Sequence, residues 1–141
     1  MHSLDHEITI GASPAAVSAA LTTSTGLRGW FSSGVSGSGD AGSSWEITFP
    51  GSVTRFTWEV EAVRPEVFVA WRCLDGPGDS IGTTVSFRLE EVAGGTRVHF
   101  THRGWPHTAG AYTKCNTLWG GLLHHLKNYA ESGTAAPLYA A

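Results

Sequence analysis

The chain is short of positive charge. Its 141 residues hold nine Lys and Arg against twelve Asp and Glu, a formal charge of −3, and only Lys114 and Lys127 are lysines. No basic stripe can be drawn on such a chain, so neither nucleic acid nor an anionic membrane surface is an expected partner. Long apolar runs are missing too: nothing approaches the ~18 residues of a membrane span. The first residues, Met1 to Glu7, are polar and acidic, unlike a secretory leader, and the cytoplasm is the expected location. Cysteine is scarce. Cys73 and Cys115 both sit in apolar context and read as small buried hydrophobes, reduced in a cytosolic chain, with nothing local to lower a thiol pKa.

The chemistry motifs are equally thin. There is no Gly-x-Ser-x-Gly elbow and no His-Glu-x-x-His. His124 and His125 are adjacent on a helix and point about 100° apart, poor geometry for one metal ion. Glu59 and Glu61 fall on the wet face of a strand. The Gly/Ser-rich stretch 32–44 has no Gly-Lys-Ser/Thr ending and no following helix, so it reads as a loop with a short strand near Val35. No metal and no cofactor are expected.

What is present is a core. Hydrophobic residues make up 41% of the chain, with six Trp and six Phe, enough for one α+β domain over residues 1–141. His6 to Ile10 alternates as a first strand. Ser13-Pro14 then marks a helix start, with Ser as N-cap and Pro at the first helical position. Thr25 is the expected cap of a second short helix, Gly26 to Phe31. Period-two patterning follows in the segments around Trp45–Phe49, Phe56–Val60, Val67–Trp71, Ile81–Leu89 and Val98–His102, each with one charged face, joined by short Gly- and Pro-bearing turns. The last element is one long helix from Ala109 to Glu131, in which Tyr112, Cys115, Leu118, Trp119, Leu122, Leu123, Leu126 and Tyr129 recur at helical spacing. The tail 134–141 reads as loosely held, although Leu138 and Tyr139 could dock.

This order resembles the helix-grip fold of the SRPBCC superfamily, which includes START lipid-transfer domains and the birch-pollen allergen. It is most similar to the bacterial homologues of the heat-shock-protein-90 ATPase activator. Three pieces carry the resemblance. They are Ile8-Thr9-Ile10 with Ser13-Pro14-Ala15-Ala16-Val17; the segment Thr25 to Phe31 with its Trp30; and His102-Arg103-Gly104-Trp105 followed by Tyr112, Cys115-Asn116, Trp119, Leu123, Leu126 and Tyr129. The Ser/Gly richness of 32–44 departs from that branch. The resemblance implies a curved antiparallel sheet of six or seven strands wrapped around the C-terminal helix, with two short helices after the first strand and a cavity between sheet and helix.

On that frame the inward positions supply the expected ligand-binding residues Trp30, Trp45, Trp58, Trp71, Phe87, Phe100, His102, Tyr112, Cys115, Trp119, Leu122 and Leu123. Roughly half of such a lining is expected to be plain packing. Gly120 and Gly121 read as a place where bulk is removed beside Trp119, or as close helix–sheet contact. His102 is either a satisfied core histidine or a polar contact for a ligand. Three functions stay open. The first is a module that binds a small apolar or aromatic molecule. The second is a cyclase- or hydrolase-like enzyme on an aromatic or polyketide-like substrate, with His102 as acid/base. The third is a co-chaperone-like interaction module. A homodimer is an expected assembly.

Overall fold

The computed structural model describes residues 1–140. β1 (His2–Ile10) leads into α1 (Pro14–Thr22) and α2 (Ser24–Trp30). Six further strands follow: β2 (Gly34–Gly37), β3 (Ser44–Thr48), β4 (Arg55–Arg64), β5 (Phe68–Asp75), β6 (Thr84–Val92) and β7 (Gly95–Trp105). The last element is α3 (Ala111–Ser132). The strands form one antiparallel sheet in the order β1-β7-β6-β5-β4-β3-β2, a meander closed by β1 returning beside β7. Register shifts in β4 at Thr57/Trp58 and Val60/Ala62 mark where extra residues bend the sheet. This is the α+β helix-grip architecture expected from the sequence. No helix among the described residues is long and apolar enough to cross a membrane.

Local chemistry explains the crossover. The Ser13 hydroxyl accepts from Ala16 N–H at 3.2 Å and Pro14 starts α1, as the sequence indicates. The cap of α2 is Thr23, not Thr25. Its hydroxyl accepts from Gly26 N–H at 3.0 Å and donates to Ala19 O at 2.8 Å, so one side chain ends α1 and begins α2. Gly26 is required there: a Cβ would stand 2.7–2.8 Å from the backbone oxygens of Ala19 and Ala20.

The alternation places the inner face correctly. Trp45, Ile47, Trp58, Val60, Val69, Trp71, Val85, Phe87, Val98 and Phe100 are all buried, together with the polar His102. Val67 and Ile81 carry the sequence pattern beyond the strands: both are exposed and precede β5 and β6.

The tail is the larger correction, because residues 134–140 are not loose. α2 has only seven residues, so its last carbonyls lack helical partners. The tail supplies them: Ala136 N–H donates to Gly29 O at 3.0 Å, Leu138 N–H to Trp30 O at 3.1 Å and Tyr139 N–H to Phe31 O at 3.2 Å. Ser33 N–H returns a bond to Tyr139 O at 2.9 Å, and His125 Nδ1–H donates to Ala136 O at 2.7 Å. Ala141, the remainder of the tail segment, lies outside the described residues. α3 itself ends at Gly133, whose left-handed φ of 72° lets its N–H donate to Tyr129 O at 2.8 Å.

Candidate functional site

The groove between sheet and α3 is filled along its middle. Phe87 packs edge-on against Trp71 at 5.2 Å and Trp119 at 5.9 Å, and tilts against Phe100 at 5.2 Å. Phe100 lies 4.4 Å from Trp119, and Trp30 meets Phe87 at 6.5 Å. Leu122 and Leu123 complete the contact from the helix side. Large rings at nearly every inward position of a short sheet leave little volume between them. The glycines of α3 do not open the groove. A Cβ on Gly120 would meet nothing within 4 Å, and one on Gly121 only Leu138 of the tail, at 3.7 Å. They lie on the flank of the helix, clear of the ring stack around Trp119.

His102 sits inside this stack, fully buried. Trp119 Nε1–H, which can only donate, makes a hydrogen bond to His102 Nδ1 at 3.2 Å. The neutral ring therefore carries its hydrogen on Nε2 and donates to Thr83 Oγ1 at 2.7 Å, and Thr83 in turn donates to Ser80 O at 2.5 Å. Every polar atom of the ring is satisfied in one tautomer. Burial lowers its pKa from 6.5 to about 3. Trp105 and Trp58 flank it at 4.6 and 5.8 Å. A general acid/base must reach its substrate and titrate near working pH; in this arrangement His102 does neither. Four other indoles are less well served: the N–H groups of Trp45, Trp58, Trp71 and Trp105 are buried without a partner among the described residues.

The open space is displaced to one end of the groove, where α3 begins. A hollow of about 380 Å³ lies there. The β3–β4 connection forms one wall through Phe49, Pro50, Ser52 and Thr54, continued by Phe56 of β4. Ala111, Lys114, Cys115 and Leu118 of α3 form the other, with Pro77 on the rim and Tyr139 of the tail across one side. Tyr139 rests on Phe49 at 4.5 Å, and Phe49 meets Phe56 edge-on at 5.9 Å. Phe56 stacks on Trp58 at 5.4 Å, so the inner wall of the hollow is the outer layer of the core.

Of the twelve residues expected at the site, Cys115 lines this hollow. Trp30, Trp45, Trp58, Trp71, Phe87, Phe100, His102, Trp119, Leu122 and Leu123 form the packed interior behind it. Tyr112 is half-buried on the far side of Trp105, at 5.9 Å, with its hydroxyl donating to Ser3 O at 3.2 Å. Burial pushes the Cys115 thiol up to about 11, and likewise that of Cys73, which makes both poor nucleophiles. Sequence reasoning missed the connection 49–56 because an irregular segment has no period to read. The signal was there in the two phenylalanines bracketing a polar loop, which would have joined Tyr139, one of the two tail residues the sequence marks as able to dock.

A curved antiparallel sheet gripping one C-terminal helix is the helix-grip arrangement of the SRPBCC superfamily. Within it, a family model described as polyketide cyclase / dehydrase and lipid transport matches residues 1–131, and the chain belongs to that family. It is similar to the Aha1 protein of Colwellia psychrerythraea, solved in solution as a dimer: 36% identity over 94% of this chain and 98% of that one, TM-score 0.84. A Staphylococcus saprophyticus protein shares the fold at 18% identity over 99% of this chain and 98% of that one, TM-score 0.76. DynU16, from the dynemicin biosynthetic locus, matches at 22% identity and TM-score 0.79, over 99% of this chain and 51% of its own length. These two bear on the fold alone. No curated protein matches the chain.

Proposed function

We propose that the protein binds a small apolar or aromatic molecule in the hollow at the start of α3. One observation carries this reading: the walls are built from Phe49, Phe56, Leu118 and Tyr139, side chains whose apolar surface a ligand would remove from water. A volume near 380 Å³ falls at the small end of the range for such sites. Membership of a family described by polyketide cyclisation and lipid transport supports the same reading. The enzymatic alternative with His102 as acid/base finds no support in the geometry, because that ring is sealed and fully bonded. We also propose a homodimer, on the strength of the 36% identical relative solved as a dimer; light scattering at micromolar concentration tests it, and a monomeric mass removes it.

The binding reading is tested by titrating the neutral fluorophore N-phenyl-1-naphthylamine into the protein. A saturable rise in emission with one site per chain is expected, and Leu118→Glu, which puts a carboxylate into the half-buried wall, is expected to abolish it while leaving the circular dichroism spectrum intact. Emission that climbs without saturating, or that is indifferent to Leu118→Glu, overturns the assignment.

A further inference from the structure

The hollow has an uneven rim. Among the described residues Lys114 is the one charged residue that lines it, and it takes part in no ion pair there. Among the described residues no Asp or Glu faces the same space. The nearby carboxylates are otherwise engaged or placed: Asp79 pairs with His107 Nε2 at 2.9 Å, and Asp75 lines a separate shallow depression beyond Pro77. Lys114 is also the fourth residue of a 22-residue helix whose N-terminus has no side-chain cap, and Ala111, the first residue of that helix, lines the hollow too. The positive end of the helix dipole therefore adds to the ammonium at this mouth. The chain as a whole is anionic, so the positive potential is local rather than a property of the surface at large.

Resting on the binding reading above, we infer that the ligand is an amphipathic monoanion: an apolar body, alkyl or aromatic, carrying one carboxylate or ionised phenol that reaches Lys114 while the body lies against Phe49, Phe56 and Leu118. The ammonium stays at the solvent edge, where an ion pair is worth up to about 1 kcal/mol, about fivefold in affinity. Its role is to orient the molecule and to favour acids over their neutral analogues, with the walls supplying most of the affinity.

The test uses matched probes in isothermal titration calorimetry, at 20 mM and 500 mM NaCl: decanoate against 1-decanol for an alkyl body, and 2-naphthoate against 2-naphthalenemethanol for an aromatic one. In at least one pair the acid is expected to bind about fivefold tighter than the alcohol at low salt, with the gap closing at high salt. Lys114→Met is expected to bring acid and alcohol within twofold of each other, and Lys114→Glu to invert the preference. Position 114 is exposed, so both variants are expected to keep the fold, which an unchanged circular dichroism spectrum checks. Which pair shows the larger gap tells alkyl from aromatic ligands. Alcohols that bind as well as acids to the unmodified protein overturn the anion inference and leave the binding reading standing. An acid preference that survives Lys114→Glu also overturns it. Failure of all four probes to bind overturns both.

Discussion

His102 is held neutral by what surrounds it. Its folded pKa of about 3 lies below the ordinary 6.5, so between those values the unfolded chain binds the extra proton and the folded one does not. Stability from this residue is therefore complete above about pH 6.5 and is lost as the pH falls toward 3, at about 1.4 kcal/mol per pH unit. Urea unfolding at pH 7 and pH 5 is expected to show the wild type losing about 2 kcal/mol more than His102→Gln over that interval. Equal losses would mean that the ring takes up its proton without opening the core. The thiol of Cys115, at the wall of the hollow, follows the same logic with opposite charge. With a pKa of about 11 it is expected to resist iodoacetamide at pH 8 and to react about tenfold faster per pH unit toward 11; rapid labelling at pH 8 would show a thiol less enclosed than this.

Among the elements, α3 and the tail show where pattern reading succeeds and where it stops. The stripe Cys115, Trp119, Leu122, Leu123 and Leu126 is buried as its spacing requires. The paired glycines are a different matter. A sequence shows that side chains are absent at 120 and 121 but not which way those positions face, and both lie on a flank of the helix. Gly120→Ala is thus expected to stabilise the protein by about 1 kcal/mol, raising Tm by about 3 °C, whereas Gly26→Ala, against the backbone of α1, is expected to destabilise it. A fall in Tm for Gly120→Ala would place that flank against something in solution. The tail was legible only in Leu138 and Tyr139, which the sequence marks as able to dock; its hold is by backbone bonds to the orphan carbonyls of Gly29, Trp30 and Phe31, and backbone pairing leaves no side-chain pattern. Removing residues 134–141 is expected to cost about 3–5 kcal/mol in thermal or urea unfolding, at up to roughly 1 kcal/mol per lost bond, and to weaken N-phenyl-1-naphthylamine binding through loss of the Tyr139 wall. An unchanged midpoint and affinity would contradict the docking.

At the scale of the whole molecule, alternation, capping residues and turn signals mark six strands, a short strand near Val35, two short helices and a long helix, and the family resemblance supplies their arrangement as a curved sheet around the last helix. The location of free space did not follow. Inward-facing aromatics mark a lining and a core in the same way, and only their summed volume decides between the two. In this chain Trp45, Trp58, Trp71, Phe87, Phe100 and Trp119 fill the middle of the groove, and the hollow survives where the strands give way to the 49–56 connection. That division of the groove into a solid centre and an open end is the central claim. Amide and indole chemical-shift mapping during an N-phenyl-1-naphthylamine titration tests it most directly. Saturable shifts confined to Phe49–Phe56, Ala111–Leu118 and Tyr139 are predicted, with Trp71, Phe87 and Leu122 unmoved. The largest shifts falling on that inner set would contradict it.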